Sequence, residues 1–440
     1  MSTRNLMATL LCSTCMVLST AARAQQTWDL RQCIEHALAH NITVKQQSLA
    51  VRQNETEVST ARNRRLPSLN GSVGQNWSFG RGLTSENTYT NTNTSSTSFS
   101  LGTDIPIWDG GQMENSLAAA RLGLNAALAD LERARENISV QITSAYLELL
   151  YQKEMVDVCK RQLHLSQEQQ NRIERLWAEG KKAEAEVAEA KATVANDELT
   201  LTQQENSLSL ARLDLTQLLE LESPEGFDIT QPTAQPVQTL PEPDATFADA
   251  SEQRPQIRAE KYRLESAERQ VRIAKSGYYP SISFNAGLGT NYYTTSGFKA
   301  DNFSKQLKNN FSQYLGVSLS VPIFNRFSVR NQVRQAQIQV ESQQLALENT
   351  RKELYKEIQQ AYYNAKAAQR QYTSSQTAKE ASEAALKLAQ KKFENGKSTS
   401  TEYEEARTRF LKAQADLLQA KYTCLFRAKI LGFYRGESLY

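Results

Sequence analysis

A short run of residues occurs twice in this chain of 440 residues. The first copy, Leu101–Gln112, reads LGTDIPIWDGGQ, and the second, Leu319–Arg330, reads LSVPIFNRFSVR. Aligning Pro106 with Pro322 sets an offset of 216 residues between the copies. A repeat at a fixed offset indicates that one structural unit is built twice, so any fold for this chain must use a single pattern two times.

The repeat extends far beyond the quoted run. The same offset pairs Gly180 with Gly396, and an offset three residues shorter pairs Pro67 with Pro280. We interpret the chain as a tandem duplication, with a first repeat over 25–220, a proline-rich linker or equatorial segment over 221–247 and a second repeat over 248–440. Each repeat is expected to hold a helix, two strands and a long helical hairpin.

Residues 1–24 have the organisation of a secretory signal peptide. Arg4 precedes an apolar run that begins at Leu6, and the run ends before Ala22–Ala24, which fits the Ala-x-Ala cleavage pattern. The mature chain is therefore expected to begin near Gln25. Beyond this segment, no apolar run approaches the ~20 residues that a membrane-spanning helix needs.

After Pro67 and Pro280, the spacing of apolar residues changes from a helical period to strict alternation. Large side chains alternate with Ser, Asn and Gly over 68–80 and 98–107 in the first repeat, and over 281–288 and 314–323 in the second. Alternation with period two predicts strands with one apolar and one polar face. Each repeat therefore contains two amphipathic strands.

Polar residues separate the strands of each pair. In the first repeat the separating segment reads RGLTSENTYTNTNTSST, which predicts a water-exposed loop. Aromatic residues near the predicted strand ends fit a girdle at a membrane interface, with packing at the strand–helix junction as the alternative for Trp108. The girdle residues are Trp77, Trp108, Tyr278, Tyr279 and Tyr314.

Two stretches without proline, Trp108–Ser223 and Phe324–Tyr440, follow the strand pairs. Leucines at positions 117, 124, 128 and 131 recur with the spacing of a coiled-coil seam. A hairpin that turns near Gly180 gives two helices of about 60 residues, each on the order of 90 Å long. The Pro106 and Pro322 runs are therefore interpreted as strand-to-helix junctions, where the missing N–H of proline costs little.

Four strands are too few to close a barrel, because about eight is the smallest number that encloses an interior. An open sheet in lipid would leave unpaired backbone groups at its edges, each costing several kcal/mol. Several chains are therefore expected to share one barrel, and three chains would supply about 12 strands. The small polar positions would line the lumen and the apolar positions would face lipid.

The chain resembles the TolC family of outer-membrane efflux proteins. Three motifs carry the resemblance, and they occur in the same order in both halves. They are the proline-serine strand starts at Pro67 and Pro280, the Pro-Ile-aromatic junctions at Pro106 and Pro322, and the hairpin tips Glu179–Lys181 and Asn395–Lys397. It covers essentially the whole mature chain. One departure lies in the second junction, where Arg326 and Phe327 replace Gly110 and Gly111.

The resemblance implies an α+β membrane protein: a homotrimeric, 12-stranded β-barrel in outer-membrane lipid, continued by a long α-helical coiled-coil barrel in the periplasm. Such a protein takes substrate from an inner-membrane pump and a periplasmic adaptor, the membrane fusion protein, and conducts it out of the cell by efflux or type I secretion.

The tips of the helical hairpins hold the candidate site. Glu402 and Glu405 lie three residues apart, hence on one helical face, and match acidic positions that in the family line the periplasmic entrance. Glu186 and Glu189 are their counterparts in the first hairpin. The alternative is that all four glutamates are solvated surface charges.

Lys181 and Lys397, which follow the tip glycines Gly180 and Gly396, are candidates for adaptor contact, with ordinary surface lysines as the alternative. The strand–helix junction residues of the candidate set are Pro67, Pro106, Gly110, Gly111, Pro280 and Pro322.

Several function classes have no support in the sequence. We find no nucleophile beside a base, no phosphate-binding glycine loop and no paired acid and base, so the chain is not expected to be an enzyme or to hold a cofactor. His36 and His40 lack a third ligand at useful spacing, so no metal site is expected. The net charge of +3 does not favour nucleic acid as a partner.

Two other functions compete with a trimeric exit channel. An exported coiled-coil scaffold that conducts nothing would use the long helices but would not need strands with an apolar face. A porin-like diffusion channel would need most of its chain in strands, whereas strands are predicted for only a small part here.

Overall fold

A computed structural model describes residues 27–83, 87–231 and 240–439, so the predicted signal peptide lies outside the described residues. The elements, in chain order, are β1 (Thr27–Trp28), α1 (Leu30–His40), α2 (Ile42–Asn63), β2 (Ser68–Leu83), β3 (Tyr89–Trp108), α3 (Gln112–Ala178), α4 (Glu184–Leu218), β4 (Asp228–Ile229), α5 (Pro243–Gln253), α6 (Pro255–Ser276), β5 (Ser281–Thr295), α7 (Phe303–Asn309), β6 (Ser312–Ser320), α8 (Ser328–Glu394) and α9 (Ser400–Tyr434). Within the described ranges, none of the helices has both the length and the apolar character to cross a membrane.

Helices at equivalent positions of the two halves have equal lengths. α3 and α8 each contain 67 residues, α4 and α9 each contain 35, and α2 and α6 each contain 22. The prediction of two helices of about 60 residues in each hairpin is wrong, because the hairpins are unequal. α4 ends early because Glu220 adopts a left-handed conformation, with φ of 57°, and Leu221 N donates to Thr216 O at 3.0 Å.

The helical segment that opens each half is divided in two, which the sequence does not predict. Asn41 interrupts the first segment in an extended conformation, and its side chain accepts a hydrogen bond from Thr43 N at 2.9 Å. In the second segment Arg254 is extended because it precedes Pro255. α5 already begins at Pro243, so the last residues of the predicted linker are helical.

The chain divides into two compact units, which are described separately. The first contains the described residues of 1–48, 131–255 and 351–440, and the second contains 49–130 and 256–350. In the first unit, β1 and β4 pair in parallel, and the buried Tyr146 donates its hydroxyl to Thr230 O beside this pair at 2.5 Å. Lys153 and Asp228 form an ion pair of 2.7 Å at the same place.

The second unit contains a four-stranded antiparallel sheet in the order β2-β3-β5-β6. The two predicted strand pairs are therefore present, and β3 pairs with β5 across the two halves. The register places the predicted apolar positions of all four strands on one face. Residues in register on this face are Leu69, Val73, Phe99, Leu101, Phe284, Leu288, Leu315, Val317 and Leu319.

Side chains on the apolar face are largely uncovered within one chain. The exposed fraction is 72% for Val73 and 80% for Leu315, which is unusual for large aliphatic residues. The opposite face is polar: Ser72 and Ser100 share a hydrogen bond of 2.7 Å, and Asn285 donates to Asp104 at 3.0 Å. The sheet thus has one face suited to lipid and one suited to water.

Tyr314 is not in the interface girdle that the sequence predicts. It pairs with Gly287, which pairs with Gly102, so its ring lies on the polar face. A methyl group on Gly287 would stand 2.6 Å from the Tyr314 ring, which shows how closely the ring covers that glycine. Trp108 packs edge-on against Tyr279 at 6.5 Å, in agreement with the alternative for Trp108 at the junction.

The polar segment between the first two strands is mostly strand and not the predicted loop. β2 continues to Leu83 and β3 begins at Tyr89. Thr90, Thr92 and Thr94 pair with β2 in regular register. Threonine is β-branched and favours extended backbone, so polarity on both faces does not prevent a strand here.

The strand-to-helix junctions have the same backbone conformation in both halves. Asp109 caps α3 by accepting from Met113 N at 2.9 Å, and Gly110 and Gly111 follow with φ of 68° and 82°. Arg326 and Phe327, at the equivalent positions, have φ of 54° and 61°. The turn is therefore retained where glycine is lost, although a residue with a side chain is strained in this region.

We expect Gly110→Ala to destabilise the protein by roughly 2–5 kcal/mol. The new methyl group would lie 2.8 Å from Ser276 O, and the left-handed conformation adds strain. Arg326→Gly at the equivalent position should instead be neutral or stabilising by up to about 1 kcal/mol, because it relieves strain. Thermal unfolding of the detergent-solubilised protein measures both changes, and equal losses in the two variants would contradict this account.

Candidate functional site

The two hairpin tips, Glu179–Lys181 and Asn395–Lys397, turn by the same hydrogen-bonding pattern. Lys181 N donates to Leu176 O and Lys397 N donates to Lys392 O, each at 2.8 Å. Gly180 and Gly396 are left-handed, with φ of 71° and 66°. This is a Schellman motif, which ends α3 and α8 and directs the chain into α4 and α9.

Glu402 lies in the first turn of α9, directly after the second tip. Thr399 caps this helix by accepting from Glu402 N at 3.3 Å, and the Ser398 hydroxyl donates to the Glu402 carboxylate. The hydrogen bond from Ser398, together with the one from the Thr399 backbone, lowers the pKa of Glu402. Glu402 is exposed, so its negative charge is available to solutes.

Glu405 lies one helical turn further along α9 and is also exposed. Its carboxylate forms an ion pair of 3.3 Å with Arg409, in which both side chains are more than half exposed. Glu402 and Glu405 thus lie on one exposed surface of the second hairpin, as their spacing predicts.

The two glutamates of the first hairpin have different surroundings. Glu186 pairs with Lys182, and both side chains are about 30% exposed. Glu186 and Glu189 line a groove of about 350 Å³ between the two hairpins, opposite Tyr403 and Glu404. The structure therefore places Glu186 and Glu189 against the second hairpin and does not group them with Glu402 and Glu405.

Several contacts across this groove join the two tips. Arg172 of α3 approaches Glu394 of α8 at 3.4 Å. Lys182 lies 5.1 Å from the centre of the Phe393 ring, which in turn stacks on Tyr403 at 5.3 Å. A cation above an aromatic face and a stacked pair are each modest attractions, and together they hold the tips in one arrangement.

A buried polar cluster centred on Arg407 also links the two hairpins. Arg407 of α9 is 7% exposed and forms an ion pair with Asp197 of α4. It also donates to Ser166 of α3 at 3.1 Å and to Glu404 at 2.8 Å, and Ser166 donates to Asp197. Three helices from both hairpins therefore share one charge network, which we call the Arg407 cluster.

Sequence reasoning missed the Arg407 cluster, although one signal was available. Tyr403, Arg407 and Phe410 follow the i, i+4, i+7 spacing of a buried helical stripe, on which a charged residue needs a partner. The equivalent of Asp197 in the second half is Ala413, so the duplication gives no hint of the pair.

The predicted junction residues lie at the ends of strands. Pro67 directly precedes β2 and Pro280 directly precedes β5, while Pro322 follows β6. Pro106 lies near the end of β3, where the pairing with β5 shifts register. Their positions are those at which proline removes no needed hydrogen bond.

His36 and His40 stack with ring centres 4.1 Å apart. Burial and the proximity of His40 lower the pKa of His36. Among the described residues, no group of three or more His, Cys, Asp and Glu side chains is arranged to hold a metal ion. The described cysteines, Cys33, Cys159 and Cys424, are buried and unpaired.

Comparison with known families gives a match over most of the chain. The sequence model of the family described as "Outer membrane efflux protein" matches residues 33–220 and 247–429. One matched segment falls in each half of the chain, so the match includes both hairpin tips and all four strands of the sheet.

Individual relatives are more distant. The fusaric acid resistance protein FusA of Burkholderia cepacia is 26% identical over 295 residues, which are 64% of this chain and 53% of that protein. The outer membrane efflux protein BepC of Brucella suis biovar 1 is 21% identical over 407 residues, which are 92% of this chain and 84% of that protein. The match thus spans about half the length of the first relative and most of the second.

A solved structure shares the fold of nearly the whole chain. One such structure is that of CusC, from work on the conformational changes that accompany its folding and transmembrane channel formation. Its fold matches this chain with a TM-score of 0.78, and the two sequences are 17% identical. The likeness covers 93% of this chain and 92% of that chain.

We expect Arg407→Ala to loosen the contact between the hairpins, because it leaves Asp197 poorly solvated and unpaired. Breaking a buried ion pair typically costs about 3–5 kcal/mol, whereas an exposed pair is worth about 0–1 kcal/mol. Arg409→Ala, which removes the exposed pair with Glu405 two residues away, is the matched control.

Hydrogen exchange of α9 and α4 measures the effect of both changes. Arg407→Ala should raise amide exchange in both helices by a factor of ten or more, and Arg409→Ala should leave it nearly unchanged. Similar exchange in the two variants would mean that the Arg407 cluster does not hold the hairpins together.

Proposed function

The chain belongs to the outer membrane efflux protein family, and on that basis we propose that it forms the exit channel of an efflux or type I secretion system. The family assignment agrees with the resemblance that the sequence predicts. The protein is located in the outer membrane, and its helical part lies in the periplasm. In the proposed function it receives substrate from an inner-membrane pump through a periplasmic adaptor and conducts it out of the cell.

One observation carries the proposal: the sheet has an exposed apolar face, a polar face and two open edges. β2 and β6 are the edge strands, each paired on one side only among the described residues. In lipid, such edges need partners, because each unsatisfied backbone group costs several kcal/mol. Pairing β2 of one copy with β6 of the next satisfies both edges and puts all apolar faces outside.

Three copies are the number we propose. Three sheets of four strands give a barrel of about 12 strands, which encloses a lumen lined by the polar face. Their hairpins would assemble into the coiled-coil barrel of helices. The proposed arrangement uses the repeats 25–220 and 248–440 as two similar parts of each copy, joined by the segment 221–247.

The hairpin tips are the proposed periplasmic entrance. Three copies of Glu402 and Glu405 would form two rings of carboxylates that attract cations. Glu186 and Glu189 contribute less, since they face the groove between the hairpins. Lys181 and Lys397 are exposed beyond the tip glycines, where an adaptor would meet them.

The names of the relatives support export as the activity. FusA is named for resistance to fusaric acid and BepC for efflux. Export through an outer-membrane channel needs no catalytic group and no cofactor in this chain, because the pump supplies the energy.

We expect the purified protein to conduct in a planar bilayer with a preference for cations. A trivalent cation should block the wild-type channel, because two rings of carboxylates bind it, and should block Glu402→Ala/Glu405→Ala much less. The matched control is Glu186→Ala/Glu189→Ala, which removes the same charge from the first hairpin and should retain most of the block.

Different failures of this experiment have different meanings. If neither protein conducts, the result contradicts the proposed channel and favours a non-conducting envelope scaffold. If wild type and Glu402→Ala/Glu405→Ala are blocked equally, the channel stands but its narrow entrance lies elsewhere.

The pH dependence of cation preference should also respond to Ser398. Because the Ser398 hydroxyl helps to lower the pKa of Glu402, the wild-type carboxylate stays charged to a lower pH than an ordinary glutamate. Ser398→Ala should raise this pKa, so cation preference is lost at a higher pH as the solution is acidified. Thr401→Ala, an exposed change beside Glu402, is the control, and identical pH profiles would contradict the role of Ser398.

A further inference from the structure

The short helix α7 lies between β5 and β6 and completes the edge of β5. β6 pairs with β5 only as far as Gly289. Beyond that point, Tyr293 N donates to the Gln306 side chain at 2.9 Å, and Gln306 donates back to Tyr293 O at 3.0 Å. Asn310, just after the helix, donates to Asn291 O at 2.8 Å. α7 is thus fixed to the strand by backbone groups that would otherwise be unpaired.

One side of α7 packs on the apolar face of the sheet. The Phe303 ring lies 5.1 Å from Tyr292 and 6.4 Å from Phe99, both in edge-on geometry. Phe99 is in register with Val73, and Tyr292 with Thr97, so both rings belong to the face that carries the exposed aliphatic residues. The helix therefore lies beside the surface proposed to contact lipid, not beside the lumen.

The other side of α7 carries positive charge. Phe303, Gln306 and Leu307 share the helical side that faces the sheet, so Lys305 and Lys308 lie on the opposite side. Both lysines are exposed. Lys305 forms an exposed ion pair of 2.9 Å with Asp301. The nearby Lys299 is also exposed.

The height of α7 along the strand matches a membrane boundary. At about 3.3 Å per residue and a tilt of roughly 40°, β5 rises by about 28 Å from Ser281 to Tyr292, against an apolar band of about 25 Å. The helices of this unit join the sheet at the Ser281 end, and the helical part of the protein is periplasmic. α7 therefore lies at the outer surface of the membrane.

We infer that α7 is an interfacial helix whose lysines bind the phosphate groups of outer-leaflet lipid while Phe303 covers the adjoining apolar face. An amphipathic helix with aromatic and basic sides lies in the plane of such an interface. A lysine ammonium is a compact point charge that suits a phosphate oxygen. The inference rests on the proposed function, because the apolar face must contact lipid.

The position of α7 is tested by labelling single cysteines with a nitroxide in the full-length protein reconstituted in lipid vesicles. The described native cysteines are buried, which favours reaction at the introduced sites. Ser304→Cys reports on α7, Val73→Cys on the apolar face and Ser100→Cys on the polar face. Accessibility to oxygen and to a polar nickel chelate gives the depth of each label.

A label at Val73 in lipid and a label at Ser304 at the lipid–water boundary support the inference. If Val73 is in lipid but Ser304 is fully in water, α7 is not interfacial and the inference is wrong, although the proposed barrel stands. If Ser304 is shielded from both agents, a second copy of the chain covers α7, which also overturns the inference. If Val73 is not in lipid, the proposed function itself fails.

Charge is tested by native mass spectrometry of the detergent-solubilised protein with phosphatidylglycerol as the probe. Lys305→Gln/Lys308→Gln should weaken lipid retention by roughly fivefold or more per lysine, because each cation near a surface phosphate contributes a similar factor. Lys305→Arg/Lys308→Arg should retain it. Lys391→Gln/Lys392→Gln removes equal charge beside a hairpin tip and should have little effect.

Equal retention by wild type and Lys305→Gln/Lys308→Gln would overturn the assignment of the phosphate contact to α7. Loss of retention in the arginine variant would contradict a contact made by positive charge, because arginine keeps the charge and binds phosphate.

Discussion

The backbone groups along the outer edges of β2 and β6 are the constraint on which the rest of this protein depends. A sheet with an exposed apolar face can lie in lipid only if every N–H and C=O within the hydrocarbon is paired. One chain supplies four strands of this sheet, and among the described residues β2 and β6 are each paired on one side only. In the proposed barrel, neighbouring copies complete this sheet, and hydrogen bonding along β2 and β6 sets how the copies meet.

The two halves have similar backbones, but their charged residues near the hairpin tips have different surroundings. The helices match in length, and both tips turn by one pattern of hydrogen bonds. Glu402 and Glu405 of the second hairpin are exposed, whereas Glu186 of the first hairpin faces a groove. Arg407 of the second hairpin is buried against Asp197 of the first. The two halves thus share similar helices, while the contacts of their charged side chains differ from one half to the other.

The sequence could predict those features of the fold that depend on neighbouring residues or on a periodic pattern. Alternation after Pro67 and Pro280 located the strands, and glycine at positions 180 and 396 located the tips, because both signals depend on neighbouring residues. The Arg407 cluster could not be found this way, since its pairing joins residues far apart in the chain. The strand extension past Gly80 and the left-handed Arg326 also escaped prediction, because sheet pairing and tertiary packing override local preference there.

The glycines of the polar face have a consequence for the width of any passage that this face lines. Tyr314 lies against Gly287, and its hydroxyl reaches toward Gly102 on the next strand. An aromatic ring laid flat on two glycines takes up little of the cross-section, whereas the same ring standing on a bulkier wall would project inward. In the proposed channel, the width beside Tyr314 would therefore depend on the backbone at Gly287 as well as on side chains.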